Sequence, residues 1–380
     1  MYTPITRRRF FGCSGAIAGG AALAGALAKR SVAATSKKPG DFMIVEGHRD
    51  IWELSDRFKL RDKSQWSPMQ DFTVPRLIEG GLSVVIMPAT GGSVEERNGR
   101  EQLLDGGMRV IDMLLMEIEK CGDKASILRT KADLPAKPNK GRVQFFLDIE
   151  GGATIQGDPE PNYHPDRSLA LLRDFYRLGV RGMQLTHNGR NMLGQGVAEG
   201  KEGNRLSAFG VEVVKEMNRL GMMIGVSHLS AKGLLHVAEI TKQPIVSSHQ
   251  NINPFIKTPL ELTEPEIKAV AGTGGIVGIR YIAGQTPYKL LVDEIEYLAK
   301  DIGVEHIGVG WLGHDKGHPA PGFVPGHSTG KQFSGVEAQS MYEHWDTFIQ
   351  MLSERGFTDD QINLIVGGNY IRIWKQILPD

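Results

Sequence analysis

From Phe42 onward, short runs rich in branched and aromatic residues alternate with longer stretches whose apolar positions recur every three to four residues. The short runs have strand length and the longer stretches have the period of helices that bury one face. Eight strands are predicted: Phe42 to Val45, Leu82 to Met87, Val143 to Ile149, Gly182 to Leu185, Met222 to Val226, Pro244 to Val246, Gly275 to Ile279 and His306 to Val309. Helices are predicted between them over Gly107 to Lys120, Ser168 to Leu178, Ala208 to Leu220, Ala231 to Thr241, Glu264 to Gly272 and Tyr288 to Asp301. This alternation builds a parallel sheet covered by helices, and eight units fit a TIM-like (β/α)8 barrel better than two doubly wound domains. Two further amphipathic helices, Val336 to Arg355 and Asp359 to Lys375, extend the C-terminal end. No repeat or linker divides the stretch after residue 40, so residues 34–380 are expected to form one α/β domain.

Composition narrows this picture. The 380 residues carry 44 Lys plus Arg against 44 Asp plus Glu, which leaves no net field to attract nucleic acid. The first 33 residues change the reading of that balance. Arg7-Arg8-Arg9-Phe10-Phe11 precedes a Gly/Ala-rich run from Gly15 to Ala28, followed by Lys29-Arg30 and the small residues Ser31-Val32-Ala33. The run is too short and glycine-rich to span the roughly 20 residues of a bilayer core. The pattern resembles a cleaved twin-arginine export signal, which implies the twin-arginine export machinery as a partner and a periplasmic or extracellular location. Removing its five basic residues leaves 39 basic against 44 acidic ones, a mature formal charge of −5. Cys13 would leave with the signal, so Cys121 has no cysteine with which to pair.

The candidate chemistry lies where the strands end. The first predicted strand runs into His48-Arg49-Asp50, the third ends in Asp148-Ile149-Glu150, and the fourth, fifth and sixth lead to His187, His228 and His249. In a (β/α)8 barrel these C-terminal ends converge on one mouth, so distant residues can meet within ligand distance. Imidazole nitrogens and carboxylate oxygens suit zinc and related divalent ions. Two such ions repel, and a shared carboxylate between them stabilises the pair. Glu150, followed by Gly151-Gly152, is the bridging candidate, with His48 and Asp50 suited to one ion and His228 and His249 to the other. A hydroxide held between two ions would be a nucleophile near neutral pH. One strand-end histidine alone would more often be structural; five strand ends together outweigh that reading. His164, His236, His306, His318, His327 and His344 are expected to be structural. The segment Gly313 to Gly330, with Pro319, Pro321 and Pro325, follows the eighth strand and is a candidate lid.

These pieces resemble the membrane (renal) dipeptidase family of zinc peptidases among the amidohydrolase-like barrels. The resemblance is carried by Glu46-Gly47-His48-Arg49-Asp50, Asp148-Ile149-Glu150-Gly151-Gly152, Leu185-Thr186-His187-Asn188, Val226-Ser227-His228-Leu229-Ser230, Ser247-Ser248-His249 and Gly367-Gly368-Asn369-Tyr370, in the family's order along the chain. It implies two zinc ions, one held by His48, Asp50 and Glu150 and the other by Glu150, His228 and His249. It also implies a catalytic role for His187 in stabilising the tetrahedral intermediate, hydrolysis of a dipeptide or small amide substrate by a metal-bridging hydroxide, and a homodimer.

Three positions depart from the family. No arginine occurs between Gln250 and Thr263, where the family has an Arg-Asn pair that grips the substrate carboxylate. After the eighth strand the family's Gly-Ser-Asp-Phe-Asp-Gly becomes Gly310-Trp311-Leu312-Gly313-His314-Asp315, so only a three-residue shift places Asp315 at the proton shuttle, with His314 the other candidate. Gly225 replaces an acidic residue. The metal ligands match while the substrate contacts have changed. The expectation is therefore an exported dipeptidase-like zinc hydrolase, with a non-peptidase binding or tailoring factor for an exported peptide-derived metabolite as the alternative.

Overall fold

Along the strand Val143–Glu150 the odd-numbered residues Val143, Phe145, Leu147 and Ile149 pack into one buried cluster, while Phe146 belongs to a second. A strand buried on both faces is what a closed parallel barrel requires, with the first set meeting the helices and the second filling the lumen. The computed structural model describes residues 35, 37–49, 67, 69–88, 104–155, 165–257, 260–280, 288–310 and 345–380, and the statements below concern these.

Ten strands are present among the described residues: β1 (Ile44–Glu46), β2 (Leu82–Pro88), β3 (Ala125–Ile127), β4 (Val143–Glu150), β5 (Val180–Gln184), β6 (Met223–Gly225), β7 (Ile245–Ile252), β8 (Glu261–Leu262), β9 (Ile276–Ile279) and β10 (Ile307–Val309). Eight of them run in the order β1-β2-β4-β5-β6-β7-β9-β10, every pair parallel. The Gly47 and His48 amides donate to the Val309 and Gly310 carbonyls at 3.0 and 3.1 Å, tying the exits of the first and last strands. The result is the predicted TIM-like barrel, nearly closed, and all eight predicted strands are in it.

Helices α1 (Val74–Glu79), α2 (Leu104–Lys120), α3 (Pro165–Leu178), α4 (Ala208–Leu220), α5 (Ala231–Ile240), α6 (Glu264–Gly272) and α7 (Tyr288–Asp301) separate the strands, and α8 (Trp345–Glu354), α9 (Asp359–Asn363) and α10 (Asn369–Ile377) follow β10. Local signals set their ends. Ser207 accepts the Gly210 amide at 2.9 Å to start α4, and Gly221, at φ 70°, stops it. None of the described helices is long and apolar enough to cross a membrane.

Three details differ from the sequence expectations. The predicted strand Pro244 to Val246 continues to Ile252, because Ser247, Ser248, His249, Gln250 and Asn251 are all buried polar residues that an apolar-run criterion passes over. Strands β3 and β8 were not anticipated; each pairs along only part of β4 or β7. The expected single helix Asp359 to Lys375 is interrupted around Gly367, whose φ is 171°. A Cβ at Gly367 would lie 2.0 Å from the Met43 carbonyl oxygen, so the chain breaks its helix to pass close against β1. Beyond the break, α10 packs on the residues that fill the lower barrel: Trp374 stacks on Phe146 with centroids 4.6 Å apart and planes 11° apart.

Candidate metal centre

Three histidines aim the same ring nitrogen at one oxygen of Glu150. Glu150 ends β4 and is buried. The Nε2 atoms of His228, His249 and His48 lie 3.0, 3.5 and 3.7 Å from its Oε1. The strands deliver these side chains: His48 follows β1, His249 sits within β7, and His228 follows β6. His228 adopts φ 64°, a left-handed backbone that costs a non-glycine residue roughly 1–2 kcal/mol. The neighbouring chain holds that turn, since the Val197 amide donates to the His228 carbonyl at 2.9 Å.

Each ring is held from behind. His228 Nδ1 lies 2.9 Å from Asn188 Oδ1, an acceptor that places the ring proton on Nδ1 and leaves the Nε2 lone pair for a cation. His249 Nδ1 is 2.9 Å from Ser248 Oγ, which in turn lies 3.2 Å from Ser227 Oγ. His48 Nδ1 faces the Gln184 amide at 3.5 Å, and the His48 and His249 rings stack with centroids 3.9 Å apart. Metal-binding histidines characteristically have this arrangement, with one nitrogen presented and the other anchored.

The charge states agree with that use. Burial drives the Glu150 carboxyl toward neutrality, but His48 and the hydrogen bond and charge of His228 overcome it and hold the carboxyl well below its usual range. Burial pushes His228 down, and His249 further, with His48 and His228 adding to the effect on His249. Burial thus favours neutral His228 and His249 beside an anionic Glu150, the state in which these groups bind divalent cations. Two sets of ligand atoms lie within 4.8 Å of one another, His48-Glu150-His249 and Glu150-His187-His228. The close approach of two ring nitrogens, 2.9 Å between His228 and His249 Nε2, further fits residues shaped around cations. Glu150 is common to both sets. The expected trio Glu150, His228 and His249 is also close, its ligand atoms 2.9 to 3.5 Å apart, so the geometry brings all four histidines to Glu150 without dividing them between two ions.

His187 is half-buried at the mouth, its ring centroid 4.5 Å from that of His228 and its Nε2 3.4 Å from the Asn188 amide. Asp50, His314, Asp315 and the expected lid Gly313 to Gly330 lie outside the described residues, as does the expected signal. His306 and His236 serve the fold. His306 Nδ1 meets the Gly275 carbonyl at 3.0 Å, and His236 Nδ1 accepts the Leu206 amide at 3.2 Å.

Sequence reasoning missed Arg280. Ile276 packs in the lumen, and strand alternation from it through Gly278 puts Arg280 on the inward side at the exit of β9. Its amide donates to the Gln250 carbonyl at 3.1 Å, and its charge adds to the depression of the His249 pKa. Counting by two along β9 would have found it.

The comparisons agree with this architecture. Dipeptidase verJ of Clonostachys rogersoniana is 26% identical over 71% of this chain, a match that spans 64% of that relative's own length. An amidohydrolase from Pseudomonas aeruginosa superposes with a TM-score of 0.71 at 19% identity, covering 90% of this chain and 99% of that one. A metallopeptidase from Rhodobacter sphaeroides, solved with a phosphinate mimic of the dipeptide L-Ala-D-Ala, gives 0.67 at 18% identity over 89% and 99% of the two chains. The profile of the membrane dipeptidases, peptidase family M19, matches residues 38–378. With nearly all of the barrel covered by that match and a carboxylate-histidine cluster at its mouth, the chain belongs to the membrane dipeptidase family of metallopeptidases.

Proposed function

We propose that this chain is an exported zinc-dependent hydrolase that cleaves a dipeptide or a small amide. The observation that carries the reading is the convergence of three histidine Nε2 atoms on one Glu150 oxygen. Nitrogen and carboxylate donors suit zinc, and a sharing carboxylate suits two ions. His48, Glu150, His228 and His249 would hold them, with Asp50 completing the set as the family resemblance implies. Zinc at this position would polarise a carbonyl and make water a competent nucleophile near neutral pH. His187, half-buried beside His228, is placed to steady the carbonyl oxygen of a substrate entering from the mouth. Asp315 or His314 would carry the proton to the leaving amine. The Rhodobacter sphaeroides relative's ligand supports a dipeptide, including one with a D-residue at its C-terminal position.

Arg280 is our candidate for the substrate carboxylate. The family's arginine after His249 is lacking here, and a guanidinium at the exit of β9 can offer the same two-pronged contact from the adjacent strand. The resemblance of the N-terminal segment to a twin-arginine signal supports a reaction in the periplasm or outside the cell, and the family resemblance supports a homodimer.

The test is an assay of the zinc-loaded mature protein against L-L and L-D dipeptides and their C-terminal amides. Turnover is expected, falling at least about a thousandfold in Glu150→Gln, since several kcal/mol of transition-state stabilisation pass through the metals. In Arg280→Met the preference for the free acid over the amide should drop about 10- to 100-fold, the value of a lost charge-assisted pair of hydrogen bonds. Stoichiometric zinc without turnover of any dipeptide would overturn the peptidase reading in favour of a binding or tailoring role.

A further inference from the structure

Below the metal centre the barrel contains an acid that neither the fold nor the proposed chemistry uses. Asp148 precedes Glu150 by two residues on β4, so both side chains point into the lumen. It is fully buried. Its Oδ2 accepts the Gln184 amide at 3.4 Å, a long contact, and its Oδ1 has no hydrogen-bond partner among the described residues; the same is true of Gln184 Oε1. Burial pushes the Asp148 carboxyl up to about 7. A buried carboxyl so poorly satisfied weakens a barrel rather than strengthening it.

The surrounding strands are nevertheless cut to receive it. Asp148 pairs in register with Gly182 on β5, where a Cβ would come within 2.5 Å of Asp148 Oδ1. Gln184 pairs with Gly225 on β6, where a Cβ would come within 2.6 Å of Gln184 Cγ. Two glycines thus clear space for two polar side chains. The amide they accommodate reaches His48: Gln184 Nε2 is 3.4 Å from Asp148 and 3.5 Å from His48 Nδ1, while His48 Nε2 faces Glu150.

We infer that Asp148 and Gln184 form a positioning pair for His48: the carboxylate holds the Gln184 amide nitrogen, and the amide oxygen, which has no other hydrogen-bond partner among the described residues, takes the Nδ1 proton of the imidazole when Nε2 binds a cation. The stacked His249 ring covers one face of His48, and the pair fixes rotation in the ring plane, so that Nε2 stays aimed at the metal position. Asp148 touches no reacting group in this scheme and acts only through Gln184. The inference rests on the metal-centre reading above.

The experiment titrates the full-length zinc-free protein with Zn²⁺ against a chromogenic chelator, and separately melts the zinc-free protein. Asp148→Leu, which matches the side chain in shape, should weaken the binding step that involves His48 by about 10- to 100-fold while leaving the zinc-free melting temperature unchanged or higher. Asp148→Asn, which keeps an acceptor for the amide, should recover part of the affinity. Gln184→Met should weaken zinc binding like Asp148→Leu, and it decides the matter if Asp148→Leu fails to fold. Wild-type zinc affinity in Asp148→Leu and Gln184→Met would overturn the inference, as would a loss of affinity matched by an equal loss of zinc-free stability. Absence of zinc binding by the wild-type protein is a different result, since it overturns the metal-centre reading itself.

Discussion

Glu294 shows how far a single residue's environment can depart from its sequence context. It lies in α7 among Leu291, Val292, Ile295 and Leu298, is fully buried, and accepts the Ile252 amide at 3.2 Å. Burial pushes its carboxyl up to about 8 from an ordinary value of 4.5. Between these two values the folded protein keeps a proton that the unfolded chain has released, so stability should fall as pH rises through this window and level off above it. The difference is on the order of a few kcal/mol. Urea unfolding at pH 5 and pH 8.5 should show this loss in the wild type and a much smaller one in Glu294→Gln; equal slopes would show that Glu294 is ionised in the folded state. In the sequence, Glu294 is one charged residue among several in an amphipathic helix. The clue was its place between Leu291 and Leu298 on the apolar face. Asp148 was legible in the same way, two residues before Glu150, but its contact with Gln184 depends on strand register, which no local pattern specifies.

Among the elements, periodicity was most reliable where burial is apolar and least where it is polar. The helices α4, α6 and α7 have the predicted bounds because their apolar faces and caps are local features. The second half of β7 is a buried strand of serines, histidine and amides, whose polar side chains find partners both within the segment, Ser247 with Gln250 and Ser248 with His249, and on neighbouring strands, Ser248 with Ser227 and Asn251 with the Arg280 carbonyl. The broken C-terminal helix has a similar explanation. The Gly367-Gly368 pair marks a candidate break between Asp359 and Lys375, and the close passage of β1 is the reason it is used. Gly367→Ala would drive a methyl group to 2.0 Å from the Met43 carbonyl and 2.6 Å from the Val45 nitrogen. Backbone must move, at a cost of about 1–3 kcal/mol or more, visible as a lowered thermal midpoint. Gly356→Ala is the control: its φ of 90° carries backbone strain, but no atom lies within 4 Å of the added carbon. A Gly367→Ala loss no larger than that of Gly356→Ala would show that the surroundings yield to the added methyl.

For the whole molecule, the candidate metal centre joins segments that are 201 positions apart, from His48 to His249, at the exits of four strands. Ions bound there to the folded form and not to the unfolded chain would add to the stability of the entire barrel. At free zinc about a thousandfold above its Kd, the gain is about 4 kcal/mol. Melting should therefore rise on zinc addition and fall in a chelator, and a melting temperature indifferent to both would exclude a folded-state metal site. By itself the sequence determined the strand-helix alternation, the eight barrel strands and the residue types at their exits, because hydrophobic period and side-chain chemistry are properties of short stretches. Only the tertiary structure decided that β1 and β10 meet, that the Nε2 atoms of His48, His228 and His249 converge on one Glu150 oxygen, that Arg280 turns inward, and that Asp148 lies beside Gln184. Those outcomes depend on strand register and barrel closure, which come from the simultaneous packing of residues far apart in the chain.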